Sequence, residues 1–259
     1  MSVSETDRDA HLGLRDGDAV VVTGAARGIG RAIAQLLAER GARIAVLDVG
    51  DGGEETAELC KAAGSDARFF RCDVSDEAAV QTAAKKVADH FGPPFGLVND
   101  AGVFPRYTLI DTPLEEWNRV LSVNLTGTFL VTRTFAPLML DAGRGAIVNI
   151  SSGVALSSNR RAGAYGATKA GIVSLTRTFA LELAPSIRVN TVLPGVTETH
   201  MPLEGTDIDE LRSRGAQIPL GRIGAVEDIA RAAAFLLGPD ASYITGQGIS
   251  VNGGRSMVP

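Results

Sequence analysis

Short hydrophobic runs alternate with longer amphipathic segments along most of the chain. The first run, AVVVT at Ala19–Thr23, has apolar residues in succession, as in a strand buried on both faces of a parallel sheet. The next segment, GRAIAQLLAERG, places Ile33, Leu36 and Leu37 on one helical face, and Gly41 is a residue type that commonly ends a helix. The pattern therefore predicts a buried strand followed by an amphipathic helix.

The same alternation repeats to the end of the chain. Further strands are predicted at RIAVLD, ARFFRC, FGLVN, AIVNIS, IRVNTVL and near GISVN. Further helices are predicted over residues 54–63, from near Ser75, from near residue 113 towards residue 140, around Tyr165 and Lys169, and over Val226–Leu237. This order predicts an α/β fold, a doubly wound parallel sheet with helices on both faces. We expect a polar N-terminal extension over residues 1–18 and a single domain over residues 19–259, with a substrate lid around residues 196–217.

Composition narrows the possible functions. The 259 residues are 45% hydrophobic and 21% charged, as in a globular protein, and the net charge of −5 argues against a nucleic-acid partner. The sequence shows neither a signal-peptide pattern nor an apolar run of membrane-spanning length, so we expect no membrane partner and a cytoplasmic location. Cys60 and Cys72 do not make a disulfide framework, so we expect two buried, reduced thiols. No metal site is predicted.

A glycine-rich turn follows the first strand, in TGAARGIG. Gly24, Gly28 and Gly30 permit a tight turn, close approach of a pyrophosphate to the backbone, and packing of the next helix, whose N-terminus then faces the phosphate charge. The spacing is G-x-x-x-G-x-G, not the commoner G-x-G-x-x-G, and no P-loop lysine is present. The turn favours a dinucleotide site, and the alternative is an ordinary strand-to-helix turn.

Asp48 ends the second strand, about 20 residues beyond the glycines, where a carboxylate can accept hydrogen bonds from ribose hydroxyls. The same carboxylate would repel a 2′-phosphate, so the sequence favours NAD(H) over NADP(H). Arg27 and Arg43 lie close in sequence and would weaken that discrimination if their side chains reached the phosphate. The alternative is a solvated acid at the end of a strand.

The ends of the third and fourth strands carry further candidate contacts to the cofactor. Asp73 is placed to face the adenine edge, with Val74 packing on the ring, although an acid leading a helix is equally ordinary. In NDAG, Gly102 allows the backbone to approach the cofactor, and Asn99 can bond both the backbone and a ribose. The alternative for this motif is a turn at the end of a strand.

Tyr165 and Lys169 lie four residues apart in AYGATKAG, on one face of the predicted helix. A free phenol has a pKa near 10, so a tyrosine that acts as a base needs a lowered pKa, which a neighbouring ammonium and an oxidised nicotinamide would favour. Lysine is a compact charge that exchanges protons, unlike arginine, and is rare in this chain. The alternative is an exposed helical pair.

Ser152 and Asn124 strengthen the chemical interpretation. Ser152 closes the stretch AIVNISS at the end of a strand, where its hydroxyl can bind a reacting oxygen. Asn124, within SVNLTG on the long helix, can interrupt the helix through its side chain and hold a water beside Lys169. Each residue alone is more often structural, but together with Tyr165, Lys169 and Asp48 on a parallel α/β pattern they indicate a catalytic site.

The chain closely resembles the short-chain dehydrogenase/reductase family, in its branch of about 250 residues. The resemblance covers nearly the whole chain, from Ala19 to about Gly254, and rests on TGAARGIG, Asp48, the DV at 73 and 74, NDAG, Asn124, Ser152, the tyrosine–lysine pair and PGVTETHM. It implies a Rossmann-like sheet of seven strands, hydride transfer between a nicotinamide cofactor and an alcohol or carbonyl substrate, and a homotetramer. The family usually has NNAG where this chain has Asp100, and because that asparagine is mainly structural there, we expect activity to survive the change.

The resemblance also implies a role for each matching residue. Tyr165 is the acid/base, Ser152 steadies the reacting oxygen, Lys169 binds the nicotinamide ribose and lowers the Tyr165 pKa, and Asn124 completes a proton relay. The cofactor-binding residues it implies are Gly24, Arg27, Gly28, Ile29, Gly30, Asp48, Asp73, Val74, Asn99, Gly102, Tyr165, Lys169, Pro194, Gly195, Thr197 and Thr199.

Substrate identity is expected to depend on residues 103–110, 153–162 and 196–217. Their apolar residues suggest a largely apolar pocket: Phe104, Tyr107, Val154, Leu156, Met201 and Leu203. Arg106, Arg160 or Arg161 would meet a carboxylate or a carrier phosphate of the substrate, and the alternative is that each is a solvated loop charge. His200 alone is only weak evidence for a role in substrate binding. The leading hypothesis is an NAD-dependent dehydrogenase of secondary alcohols or polyols. The alternatives are an NADPH-dependent 3-oxoacyl-carrier reductase, a non-catalytic dinucleotide-binding scaffold and, less favoured, a sugar-nucleotide epimerase.

Overall fold

The computed structural model describes residues 17–157, 159–199 and 213–257. Seven strands lie in this part of the chain: β1 Ala19–Thr23, β2 Arg43–Asp48, β3 Ala67–Arg71, β4 Gly96–Asn99, β5 Gly145–Ile150, β6 Ile187–Pro194 and β7 Gly248–Val251. The α-helices are α1 Gly28–Glu39, α2 Gly52–Ala62, α3 Glu77–Phe91, α4 Leu114–Val120, α5 Gly127–Asp141, α6 Gly163–Leu183 and α7 Val226–Leu237. The predicted elements are all present, most with ends within a few residues of the prediction.

All seven strands run parallel in one sheet, in the order β3-β2-β1-β4-β5-β6-β7. The order reverses at β1, so the chain winds outward first to β3 and then, starting from β4, to β7. This arrangement places the carboxyl ends of β1 and β4 side by side, where doubly wound folds bind their ligands. The predicted seven-stranded Rossmann-like fold is confirmed.

Two hydrophobic layers cover the sheet. In β1, Val20 and Val22 face the layer formed with α1, α2 and α7, whereas Ala19 and Val21 face the layer formed with α3, α5 and α6. Every residue of β1 is buried. The succession of apolar residues that predicted this strand therefore reflects burial on both faces.

The predicted long helix between β4 and β5 is interrupted. A π-helical segment, Leu121–Thr126, separates α4 from α5, and Asn124 is fully buried within it. Such π-helical turns are often found at functional sites, because they displace one side chain from the regular helical register. The predicted local interruption at Asn124 is thus present.

The expectation of two buried, reduced thiols is met. Cys60 and Cys72 are buried and free, and burial raises the pKa of each thiol to about 11. Within residues 17–157, 159–199 and 213–257, no helix is both long and apolar enough to cross a membrane. The predicted lid lies partly outside the described residues, as do His200, Met201 and Leu203.

Candidate active site

A cavity of about 1180 Å³ opens at the carboxyl ends of the central strands. Its walls come from the loops after β1, β2, β3, β4, β5 and β6, which a parallel sheet brings to one edge. The predicted site residues that line it are Gly24, Arg27, Gly28, Ile29, Asp48, Asp73, Val74, Gly102, Tyr165, Lys169, Pro194, Gly195, Thr197 and Thr199. The fold therefore brings most of the predicted cofactor residues together around one space large enough for a dinucleotide and a small substrate.

Two glycines of the glycine-rich turn, Gly24 and Gly30, have no room for a side chain. Gly24 has a φ of +68°, and a Cβ there would lie 2.7 Å from the Cα of Ala101. A Cβ on Gly30 would lie 2.5 Å from the carbonyl oxygen of Gly24. Gly30 thus packs behind the turn and lets α1 start against β1, whereas Gly24 and Gly28 face the cavity. This bare backbone at a helix N-terminus fits a pyrophosphate.

Asp48 is fixed at the rim of the cavity by backbone amides. Its Oδ2 accepts a hydrogen bond of 2.9 Å from the Ala26 N–H, and its Oδ1 accepts one of 2.8 Å from the Gly50 N–H. Arg31 supports the same turn by donating to the Ala26 carbonyl oxygen over 2.6 Å. The carboxylate is therefore held rigidly where the adenosine ribose is expected.

Of the two arginines expected near Asp48, only Arg27 lies at the cavity. Arg43 begins β2, so it lies at the amino end of the sheet, and its guanidinium donates to the carbonyl oxygen of Phe91 over 3.0 Å. The expectation that Arg43 weakens the cofactor preference is wrong, because the length of β2 separates it from Asp48.

The predicted contacts after β3 and β4 divide into two groups. Asp73 lines the cavity, and its Oδ1 accepts hydrogen bonds from the N–H and hydroxyl of Ser75, which fixes the carboxylate. Asn99 does not line the cavity: its Nδ2 donates to Thr132 Oγ1 over 3.0 Å and to Asn149 Oδ1 over 2.8 Å. The predicted ribose bond from the Asn99 side chain is therefore not supported, since that side chain joins β4, β5 and α5 beneath the site.

Tyr165, Lys169 and Ser152 form one cluster where β5 meets α6. The Lys169 Nζ lies 5.5 Å from the Tyr165 ring centroid and donates a 2.8 Å hydrogen bond to the carbonyl oxygen of Ile150. Ser152, which follows β5, forms a hydrogen bond with the Tyr165 side chain. Both α6 residues are buried, which the i, i+4 spacing alone did not establish. The exposed helical pair considered as an alternative is ruled out.

The protein groups alone do not lower the pKa of Tyr165. Burial raises it to about 12, the hydrogen bond with Ser152 opposes that rise, and the charge of Asp100 adds to it. Burial likewise lowers the pKa of Lys169 to about 8, against the attraction of Asp100. Lys169 is not among the groups that shift the Tyr165 pKa, so the lowering predicted from this lysine is not found, and desolvation dominates. A phenolate base at this position needs an additional positive charge, such as an oxidised nicotinamide.

Asn124 holds the loop after β4 against α6. Its Oδ1 accepts from the Val103 N–H over 2.8 Å, and its Nδ2 donates to the Val103 carbonyl oxygen over 3.0 Å and to Thr168 Oγ1 over 3.3 Å. A Cβ on Gly102 would lie 3.4 Å from Asn124 Oδ1 and 3.7 Å from Lys169 Nζ. These contacts set the distance between loop and lysine, while the predicted water-holding role of Asn124 stays a prediction.

Asp100 is a polar group whose importance the sequence interpretation missed. Its carboxylate accepts a hydrogen bond from the Gly30 N–H and lines the cavity between the glycine turn and Lys169. Burial raises its pKa to about 7. The sequence did contain a sign of this role: Asp100 stands where the family usually has asparagine, which adds a charge next to a glycine turn.

The segment after β6 closes the other side of the cavity. Thr197 is buried and pairs in a short parallel bridge with Gly224, and its Oγ1 donates to the Gly195 carbonyl oxygen over 3.3 Å. The methyl carbon of Thr199 lies 3.8 Å from where a Cβ on Gly28 would be. Residues 195–199 therefore approach the glycine turn from across the cavity.

The outer part of the cavity carries aromatic and cationic groups. The ring of Phe104 stacks on that of Tyr165, and the Arg106 guanidinium lies 5.1 Å from the Phe104 ring centroid. Arg161 ties this loop to the start of α6 by donating to the Arg106 carbonyl oxygen over 2.9 Å. Arg160, Tyr107 and Val154 also line the cavity, whereas Leu156 does not. Phe104, Tyr107 and Val154 of the expected apolar wall therefore line the cavity, together with the cationic Arg106 and Arg160.

The residues present fit a nicotinamide dinucleotide. The glycine backbone would hold the pyrophosphate, Asp48 the adenosine ribose, and Lys169 and Tyr165 the nicotinamide ribose. Throughout the part of the chain that the structure describes, no group of three or more histidine, cysteine or acidic residues could hold a metal ion.

Comparison with known proteins supports an oxidoreductase. The sequence model of the family described as enoyl-(acyl carrier protein) reductase matches residues 24–256. The chain is 40% identical over 240 residues to cis-4-hydroxycyclohexanecarboxylate dehydrogenase of Sinomonas cyclohexanicum, covering 92% of this chain and 96% of that protein. It is 42% identical over 243 residues to the 3-oxoacyl-[acyl-carrier-protein] reductase FabG of Staphylococcus aureus, covering 92% and 97%. The crystal structure of levodione reductase superposes with a TM-score of 0.88 at 30% identity, covering 92% and 97%.

Proposed function

Because this chain belongs to the short-chain dehydrogenase/reductase family of nicotinamide-dependent oxidoreductases, we propose that it interconverts a secondary alcohol and its ketone and prefers NAD(H). The observation that carries the proposal is that Tyr165 and Lys169 line a dinucleotide-sized cavity, with Ser152 hydrogen-bonded to Tyr165. The cofactor, when bound, supplies the hydride acceptor or donor. The residues of this chain supply binding, orientation and proton transfer.

Tyr165 transfers the proton. In alcohol oxidation its oxygen takes the hydroxyl proton of the substrate, and in ketone reduction it returns one to the developing alkoxide. The Ser152 hydroxyl, already bonded to Tyr165, would bond the same substrate oxygen and stabilise its charge. Lys169 would pass protons between Tyr165 and solvent, because burial lowers its pKa to about 8, within reach of neutral pH.

The preference for NAD(H) rests on Asp48. Its two oxygens already accept hydrogen bonds from Ala26 and Gly50, so the carboxylate cannot easily rotate away from a 2′-phosphate. With Arg43 at the opposite end of the sheet, Arg27 is the nearby cation among the described residues that line the cavity next to Asp48. The balance of charge therefore favours an unmodified ribose.

Two substrate classes follow from the relatives and the cavity wall. A cyclic secondary alcohol that bears a carboxylate is the class named for the Sinomonas relative, and Arg106 and Arg160 at the outer cavity match its charge. A 3-oxoacyl carrier substrate is the class named for FabG, and the same arginines would suit its carrier phosphate. Asp48 argues against the second class if that reaction requires NADPH.

The test is turnover by the purified chain, measured by the absorbance of reduced nicotinamide. NAD and NADP are compared on secondary alcohols, polyols, hydroxycycloalkane carboxylates and, in reverse, 3-oxoacyl thioesters. Tyr165→Phe should lose turnover by orders of magnitude and retain cofactor binding, whereas Tyr243→Phe, at a fully exposed tyrosine, should match the parent. Equal turnover by Tyr165→Phe would refute the catalytic assignment.

A further inference from the structure

Asp100 is held firmly on the floor of the cavity. The N–H groups of Asp100 and Ala101 both donate to Thr23 Oγ1, over 3.1 and 3.2 Å, which fastens the loop after β4 to the end of β1. The Asp100 side chain then reaches the first turn of α1, where its carboxylate accepts the Gly30 N–H. Its Oδ2 lies 2.9 Å from where a Cβ on Gly30 would be. The carboxyl group is therefore fixed in the turn that is expected to hold a pyrophosphate.

Several ionisable groups face this carboxyl group from other elements. Lys169 of α6 attracts its negative charge, and Asp48 of β2 repels it. The charge of Asp100 in turn raises the pKa of Tyr165 of α6. Burial outweighs the attraction of Lys169 and the Gly30 hydrogen bond, so the pKa is raised to about 7. The carboxyl group can thus gain or lose a proton near neutral pH.

A bound dinucleotide would place its pyrophosphate dianion against the same turn. A carboxylate on that floor repels the dianion, whereas a neutral carboxyl group does not, so binding favours the protonated form. We propose that Asp100 takes up one proton from solvent when the nicotinamide dinucleotide binds, which makes cofactor affinity dependent on pH through this residue. This inference rests on the proposed function, since it requires that a dinucleotide occupies the cavity.

The direction of the pH dependence follows from linkage. Below about pH 7 the carboxyl group is already protonated in the free protein, so binding takes up little proton and the affinity is constant with pH. Above that pH the Asp100 carboxyl group of the free protein is ionised, and each further pH unit should weaken the affinity for the dinucleotide by up to about tenfold. Asparagine has nearly the same shape without the charge, so Asp100→Asn should remove the dependence.

Calorimetry of NAD binding measures the proton directly. The binding heat is recorded near pH 8 in two buffers that differ in ionisation enthalpy, and their difference gives the number of protons taken up. We expect most of a proton for the parent protein and close to none for Asp100→Asn. Asp89→Asn removes the same charge from an exposed residue of α3 that pairs with Lys85, and should behave as the parent does.

Lys169 provides the main competing source of a proton, because its pKa is lowered to about 8 and an anionic ligand would raise it. Proton uptake that persists or grows in Asp100→Asn would assign the proton to Lys169 and overturn the inference. Binding by the parent protein without proton uptake would also overturn it and leave the proposed function intact. If Asp100→Asn does not fold, the parent alone decides: uptake must be small near pH 6 and rise with a midpoint near pH 7. Failure of the parent to bind NAD(H) or NADP(H) would refute both proposals.

Discussion

The ring of Phe104 lies stacked on the ring of Tyr165, with centroids 4.3 Å apart and an interplanar angle of 27°. The Arg106 guanidinium lies 5.1 Å from the Phe104 ring centroid, so Phe104 contacts both the proposed catalytic tyrosine and a cation. Phe104 belongs to the loop after β4. The Asn124 side chain holds this loop through the backbone of Val103, the residue before Phe104. The loop and the phenol are therefore positioned together.

Loss of that stack should slow the reaction without preventing cofactor binding. Stacked aromatic pairs are worth about 0.5–1.5 kcal/mol beyond their buried area, so Phe104→Ala should lower kcat by about two- to tenfold as Tyr165 gains freedom. Phe104→Leu restores most of the side-chain volume but not the stacking, so comparing the two variants separates the effect of ring stacking from that of side-chain volume. Steady-state kinetics with NAD dissociation constants provide the measurement. If kcat were unchanged in both variants, the stack would have no positioning role.

The pH dependence of turnover should differ between the two directions. Because the protein groups raise the pKa of Tyr165 to about 12, its phenolate is scarce near neutral pH even after a cofactor charge lowers that value. Alcohol oxidation should therefore rise by up to about tenfold per pH unit across the neutral range, whereas ketone reduction, which uses the protonated phenol, should stay nearly constant. A rate of alcohol oxidation that does not change with pH, measured where proton or hydride transfer limits the rate, would contradict this assignment.

Lys169 should not tolerate arginine. Its Nζ is buried and bonded to the Ile150 carbonyl oxygen, so a larger guanidinium would displace β5 or Tyr165 and would not release a proton. We expect Lys169→Arg to lower kcat/KM on the order of a hundredfold. Lys85→Arg, at an exposed residue of α3, is the matched control and should have no effect. Near-normal activity of Lys169→Arg would mean that only the positive charge matters.

Much of the fold could be predicted from the sequence because the sheet is buried on both faces. Successive apolar residues indicated β1, and the tyrosine–lysine spacing placed both side chains on one face of α6. Strand parity would also have located Asn99 correctly. Leu97 faces the layer that contains α5, so Asn99, two residues later, points the same way and not towards a ligand.

Other features of the site depend on burial, which composition and spacing do not give. The raised pKa of Tyr165 results from its depth in the folded protein, and that of Asp100 from its enclosure beside Gly30. Arg43 is a different case: it begins a strand that Asp48 ends, so its position alone separates the two. Desolvation and packing therefore account for what the sequence left undetermined.

Replacing Asp48 should change the cofactor preference. Asp48→Asn keeps one oxygen as an acceptor for the backbone turn and removes the charge, so the turn should survive while the repulsion of a 2′-phosphate falls. We expect the NAD-to-NADP ratio of kcat/KM to fall by about tenfold or more, as one unit of charge near a phosphate implies. Asp51→Asn, a nearby exposed residue, should leave the ratio unchanged. An unaltered ratio in Asp48→Asn would refute the ribose contact.

The apolar outer face of α5 and α6 should form a subunit contact in the proposed homotetramer. Leu130, Val131 and Phe135 are buried, but Phe129 of α5 remains partly exposed and stacks with Phe179 of α6 at 6.5 Å. Leu181, two residues further along α6, is 82% exposed. Exposed apolar patches of this kind commonly mark protein contacts.

Leu181→Arg should therefore lower the mass of the assembly measured by light scattering at micromolar concentration, because it places a charge in that contact. Leu59→Arg makes the same change on α2, in the opposite helical layer, and should leave the mass as it is in the parent. A parent protein that is monomeric at that concentration would rule out the homotetramer. A tetrameric parent whose mass is the same in Leu181→Arg would instead move the contact to another face.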